Sequence, residues 1–116
     1  MDATIARKRL EEIRSELERS ITVLTGEQEQ DAGVADYPQD PADAGANLSE
    51  SERTEAVLAV AKMQRSEVLG ALRRIEAGTY GTCVDCGAAV PEGRLEAKPE
   101  AARCVSCQGK WDRSRR

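Results

Sequence analysis

The 116-residue chain is 40% apolar, only 3% aromatic and contains no Phe, which is too little apolar material for a large globular core. Charged residues make up 33% of the chain and the net charge is −4. A negatively charged surface does not attract polyanions, which argues against general binding to nucleic acid or to an anionic membrane. No apolar stretch approaches a membrane span and the first residues form no apolar signal region, so we expect a cytoplasmic protein.

The first predicted element is a helix from residue 2 to about residue 30. Its apolar residues recur at alternating steps of three and four when Ser20 is counted with them: Leu10, Ile13, Leu17 and Leu24. Charged residues fill most other positions, and Ile21 lies beside the stripe. This near-heptad spacing is typical of an amphipathic helix that packs against another helix.

A polar connection and a second helix follow. Residues 31 to 47 contain two prolines, two glycines and several Asp and Asn residues, a composition that favours turns. Ser49 and Glu52 fit a capping box, which predicts a second helix from Ser49 to Ala77 with Gly78 as its stop. The stripe of this helix is Leu58, Ala61, Arg65, Val68, Leu72 and Ile75.

Two helices of similar length joined by a polar connection predict a mostly α fold. We expect a long antiparallel helical hairpin, a coiled coil, over residues 1–78 with its tip loop at about 31–48. A small C-terminal four-cysteine zinc-finger module with a short C-terminal helix is expected over residues 79–116. The intermolecular alternative is a parallel dimer of one helix.

Four cysteines form two C-x-x-C pairs separated by 17 residues: Cys83, Cys86, Cys104 and Cys107. Two intervening residues let a tight turn direct both thiolates at one metal ion, and tetrahedral coordination then needs a second such pair. Gly87 follows the first pair, where a glycine relieves backbone crowding. Because the chain contains no His, all four ligands must be Cys, and a filled tetrahedron indicates structural rather than catalytic Zn²⁺. Two disulfides or a redox-active thiol site are the alternatives, and a cytoplasmic location disfavours the disulfides.

The C-terminal residues 110–116 are basic and contain one aromatic residue, Trp111. They are interpreted either as a frayed helix whose Trp111 covers the zinc module or as a contact patch for an acidic partner or a phosphate. No catalytic constellation is visible, because the chain lacks His and has no glycine-rich phosphate loop, so we predict a binding protein rather than an enzyme.

The segments 71–83 and 94–99, which lead into the two cysteine pairs, resemble the DksA/TraR-type C4 zinc-finger proteins of bacteria. The resemblance implies a partner, RNA polymerase, into whose secondary channel the hairpin is inserted to alter initiation without sequence-specific DNA binding. The family's tip pattern matches Asp40-Pro41-Ala42-Asp43, so the resemblance assigns Asp40 and Asp43 to the tip that faces the polymerase active site, and Gly45 stands where the family has Ala. A monomer is expected.

The resemblance also identifies positions that would hold the alarmone ppGpp in a responsive member of the family. Cations are expected there, yet the positions carry Glu67 and Gln108, and only Lys98 keeps a positive charge. We therefore predict weak or absent ppGpp dependence, with Arg94 and Lys98 as possible contacts to a partner or phosphate. The alternatives are a zinc-stapled coiled-coil interaction protein with another partner and a thiol redox sensor.

Overall fold

The computed structural model describes the backbone of residues 1–34 and 41–114 and the side chains of residues 1–26 and 49–114. The described residues form four helices: α1 (Ala3–Val34), α2 (Pro41–Ala77), α3 (Glu92–Ala97) and α4 (Val105–Ser114). Extended pairing in these ranges is limited to an isolated antiparallel bridge between Thr82 and Ala89. The predicted mostly helical class, with two long helices before a small cysteine module and a short last helix, is therefore confirmed.

The start of α1 is fixed by Asp2. The Thr4 N–H donates a hydrogen bond of 3.0 Å to Asp2 Oδ1, and the Ala6 N–H donates one of 2.9 Å to the Asp2 carbonyl. An aspartate at this position satisfies an amide of the first turn that has no partner within the helix. The predicted start near residue 2 is thus explained by a side-chain cap.

The second helix begins earlier than predicted. Helical backbone starts at Pro41, eight residues before the expected cap at Ser49, and α1 continues to Val34, past the expected end near residue 30. The prediction gave too much weight to proline as a helix breaker. A proline is well tolerated in the first turn, where its missing N–H has no intrahelical partner, and the alanines that follow have the highest helix propensity.

The end of α2 confirms the predicted stop at Gly78. Gly78 has a φ of 77°, and its N–H donates to the Ile75 carbonyl at 3.2 Å. The Thr79 N–H donates to the Arg74 carbonyl at 2.9 Å. These two bonds form the Schellman arrangement, which requires a left-handed residue and so favours glycine.

The chain divides into two compact units. One contains Met1–Arg14 and Ser66–Arg116, and the other contains Ser15–Arg65. The beginning of α1 thus belongs with the end of α2, and the remainder of α1 with the beginning of α2, which is the antiparallel arrangement. The division at residue 78 that the sequence suggested stays a prediction.

The unit of Ser15–Arg65 has a small core between its two helical segments. Ile21 of α1 packs with Leu58 and Ala61 of α2, and the partly buried Leu17 and Leu24 complete the cluster. These residues come from the apolar stripes of both helices, apart from Ile21, which the sequence placed beside the stripe. No described helix combines the length and apolar character needed to cross a lipid bilayer.

In the unit that contains both termini, Leu10 and Val68 are the largest fully buried side chains. Replacing Leu10 by Ala is expected to lower the free energy of unfolding by about 2–5 kcal/mol, because transfer energy is lost and a cavity is left. Chemical denaturation followed by circular dichroism measures the change. Ile5→Ala is the control on the same helix, since Ile5 is 55% exposed; equal losses for the two variants would contradict the assignment of Leu10 to the core.

Candidate metal centre

Backbone hydrogen bonds close the turn that carries the first cysteine pair. The Cys83 N–H donates to the Ala88 carbonyl at 2.7 Å, and the Gly87 N–H donates to the Cys83 carbonyl at 3.0 Å. Gly87 has a φ of 76°, a conformation that side chains with a Cβ rarely adopt. The glycine after the first pair is thus explained by its positive φ and not by crowding from neighbouring atoms, since a Cβ at Gly87 would meet none within 4 Å.

The second cysteine pair is placed by the start of α4. Cys104 directly precedes the helix, Cys107 lies in its first turn, and the Gln108 N–H donates to the Cys104 carbonyl at 2.9 Å. A further backbone bond of 3.0 Å, from the Val84 N–H to the Ala102 carbonyl, joins the segments that carry the two pairs. Local turns thus orient each pair, and this bond brings the pairs together.

The four Sγ atoms form one cluster. All lie within 4.8 Å of one another, and the distance between the Sγ atoms of Cys86 and Cys104 is 3.9 Å. Zn–S bonds of about 2.3 Å in a tetrahedron place neighbouring sulfurs roughly 3.8 Å apart. A disulfide bond is only about 2.05 Å long, and all four cysteines are free. The arrangement therefore fits one Zn²⁺ with four thiolate ligands and leaves no open position.

The cysteines alter one another's ionisation. The backbone N–H groups of Cys104 and Cys86 lower the pKa of Cys83 to about 6, while the neighbouring thiol of Cys104, and then that of Cys83, raise the pKa of Cys107 to about 12. A cluster of thiolates without a cation is unfavourable because the negative charges repel one another. A bound dication removes this penalty and deprotonates the ligands, so the donor set is suited to a metal ion.

A small apolar core supports the cysteines. Its buried members come from four short segments of the chain: Cys83, Val90, Leu95 and Ala101, with Met1 and Tyr80 packed against them. The Tyr80 hydroxyl donates a hydrogen bond of 2.9 Å to the Pro99 carbonyl, which holds the ring in place. Because so few residues are buried here, we expect a bound metal ion to supply much of the stability of this region.

The two predicted contact residues lie in one cavity of about 190 Å³, which Arg74 and Arg103 also line. Arg94 Nε donates a hydrogen bond of 3.1 Å to the Arg103 carbonyl, so this side chain takes part in the module's internal structure. Lys98 Nζ lies 3.8 Å from Glu67 Oε2, and both side chains are about half exposed. Contact of Arg94 or Lys98 with a partner or phosphate stays a prediction.

Sequence reasoning missed the contacts of Arg103. Its Nε lies 2.7 Å from Asp85 Oδ2, and its guanidinium stands 4.1 Å from the centre of the Trp111 ring. Asp85 and Arg103 are 18 positions apart, and neither C-x-x-C pair alone indicates such a contact. The one signal present in the sequence was that each residue directly precedes a cysteine, Asp85 before Cys86 and Arg103 before Cys104, because metal ligands are commonly supported by neighbouring polar groups.

The predicted tip residues cannot be placed in the same way. Asp40 lies outside the described residues. Asp43 and Gly45 belong to the helical backbone of α2, but the side chain of Asp43 lies outside the described part of the chain. Their role at the tip stays a prediction.

Comparisons with known proteins agree with this geometry. Residues 78–111 match the model of the prokaryotic dksA/traR C4-type zinc finger. The chain is 32% identical over 106 residues to the RNA polymerase-binding transcription factor DksA of Caulobacter vibrioides, covering 91% of this chain and 70% of that relative. Identity to the Escherichia coli factor of the same name is 28% over 102 residues, covering 84% of this chain and 60% of that relative.

A solved structure is also similar. Transcription factor DksA2 from Pseudomonas aeruginosa matches with a TM-score of 0.79 and 25% sequence identity, covering 98% of this chain and 86% of that chain. The similarity includes both long helices as well as the cysteine module. With its four clustered cysteines and its extended similarity to the Caulobacter factor, the chain belongs to the DksA/TraR family of C4 zinc-finger proteins.

Proposed function

We propose that the protein is a transcription regulator that binds RNA polymerase directly and acts in the cytoplasm as a monomer. The observation that carries the proposal is the similarity to the Caulobacter factor, which extends over 91% of this chain and is not confined to the zinc module. A match limited to residues 78–111 would support only a shared metal site. The protein acts by binding and not as an enzyme, since a metal centre with four thiolate ligands has no open position for a substrate.

The proposed mechanism assigns separate tasks to the two ends of the hairpin. The end of the hairpin where α1 and α2 are joined enters the secondary channel of the polymerase, and it brings Asp40 and, in the first turn of α2, Asp43 towards the catalytic magnesium ion. There the carboxylates alter the field around the metal or the nucleotide, and initiation changes at selected promoters. The zinc centre holds the end of α2 and the cysteine module in a fixed arrangement that docks on the polymerase.

Co-purification with RNA polymerase core enzyme tests the proposal. Zinc-loaded protein is immobilised, incubated with purified core enzyme and washed at moderate ionic strength. The amount of polymerase retained per immobilised protein is then measured. We expect stoichiometric retention and no shift of promoter DNA by the protein alone. Absence of retained polymerase, with metal content and circular dichroism intact, would favour the alternative of a zinc-stapled coiled-coil protein with another partner.

Promoter responses to this protein are expected to be the same with and without ppGpp. The Glu67 carboxylate lies 3.8 Å from the Lys98 ammonium and adds a negative charge to the lining of the cavity, which disfavours a pyrophosphate group beside it. In vitro transcription on several promoters, with and without the alarmone, measures the response. Polymerase without the protein corrects for direct effects of ppGpp, and a large synergy beyond that correction would show the prediction to be wrong.

A further inference from the structure

Arg103 connects parts of the module that carry different metal ligands. It directly precedes Cys104 of the second pair, and its Nε donates a hydrogen bond of 2.7 Å to Asp85 Oδ2. Asp85 in turn directly precedes Cys86 of the first pair. The ion pair therefore joins the two cysteine pairs through side chains, next to the backbone bond between Val84 and Ala102.

The same guanidinium also contacts α4. Its carbon lies 4.1 Å from the centre of the Trp111 ring, within the range of a cation–π interaction. Helix α4 carries Cys107 and has no buried residue in its described length. The contact between Arg103 and Trp111 is therefore one of the contacts that restrain this helix, together with the packing of Cys107 against the small core.

Arg103 is itself held in place. Its side chain is only 19% exposed, and its carbonyl accepts a hydrogen bond of 3.1 Å from Arg94 Nε. A planar guanidinium can bind a carboxylate at its edge and an aromatic ring on its face at the same time, which a lysine ammonium cannot do. The residue type therefore suits the two contacts that it makes.

We propose that Arg103 is a positioning residue of the metal centre, which clamps Asp85 and Trp111 and thereby slows the release of Zn²⁺. Release requires one thiolate to move away from the ion, and Cys86 is the most exposed of the four. Restraint of Asp85 limits the movement of Cys86, and restraint of Trp111 limits that of α4 and Cys107. The inference rests on the metal site alone and not on the proposed binding to polymerase.

The rate of zinc transfer from the loaded protein to an excess of chromogenic chelator tests the clamp. Arg103→Ala is expected to release zinc roughly tenfold faster than the unmodified chain, the scale on which outer contacts affect metal sites. Arg113→Ala is the matched control, because it removes the same charge from an exposed position on α4. Equal rates for the unmodified chain and Arg103→Ala, or equal acceleration in both variants, would overturn the proposal.

A second variant separates the clamp from a simple charge effect. A tetrathiolate zinc centre is negatively charged, so the loss of a nearby cation should weaken it and the loss of a nearby carboxylate should strengthen it. If charge alone mattered, Asp85→Asn would slow zinc release. The clamp predicts the opposite, faster release in Asp85→Asn, with little further acceleration when Arg103→Ala is added. Slower release in Asp85→Asn, or additive effects, would refute the clamp.

Two spectroscopic measurements check that the variants keep the site. The absorption of the Co²⁺-substituted protein should stay that of a tetrahedral thiolate site in Arg103→Ala. Trp111 is the only tryptophan, so its fluorescence reports on α4 alone. We expect its emission to shift in Arg103→Ala while the stoichiometry stays at one metal per chain; an unchanged emission would contradict the contact with α4.

Discussion

Cys83→Ser is expected to abolish stoichiometric zinc binding and to unfold the cysteine module. Structural zinc contributes on the order of 10 kcal/mol to the folding of small modules, whereas the core around Cys83 contains only a few buried residues. A serine hydroxyl does not replace the thiolate, and three remaining thiolates leave the coordination incomplete. Metal analysis, together with limited proteolysis of the region after Gly78, measures both effects.

The control for this prediction is Ser106→Ala, which alters an exposed residue between the ligands of the second pair and should leave zinc and fold unchanged. Removal of zinc from the unmodified protein by a chelator should reproduce the Cys83→Ser state, and added zinc should restore the module. The unit of Ser15–Arg65 has its own cluster around Ile21 and Leu58, so we expect its helices to persist. Protease resistance after Gly78 in Cys83→Ser would mean that the metal is dispensable for folding.

The features predicted correctly from the sequence are those with a local physical cause. The spacing of Cys83 and Cys86 reflects how a tight turn directs two sulfurs at one ion, and that requirement does not depend on the rest of the fold. The positive φ of Gly78 and Gly87 likewise follows from turns that only a few residues define. Burial of Leu10 and Val68 could be predicted because the apolar period of a helix determines which face packs.

The features that were missed depend on context. The start of α2 at Pro41 was not predicted because proline both ends helices and opens them, and a local pattern does not separate the two roles. The pairing of Arg103 with Asp85 depends on the approach of two segments 18 residues apart, which the backbone bond from Val84 to Ala102 establishes. The hydrogen bond from Arg94 Nε to the Arg103 carbonyl was not predicted either, because it also depends on how two separate segments approach each other.

Under the proposed function, replacing both Asp40 and Asp43 by Asn should abolish the effect on transcription while polymerase binding stays nearly intact. The substitutions keep side-chain size and remove two negative charges, so any field that the carboxylates exert on a magnesium ion or a nucleotide is lost. In the same proposal, the protein docks through the zinc module, which contains neither Asp40 nor Asp43. In vitro transcription on several promoters, paired with a binding measurement on core polymerase, separates the two quantities.

The matched control is the double variant Asp31→Asn and Asp36→Asn, which removes the same charge from nearby positions and should regulate normally. Loss of regulation in both double variants would point to the overall charge of this end of the hairpin rather than to Asp40 and Asp43. Normal regulation by the Asp40 and Asp43 variant would exclude the tip carboxylates as effectors. The regulatory effect would then have to arise where the zinc module and the helices touch the polymerase.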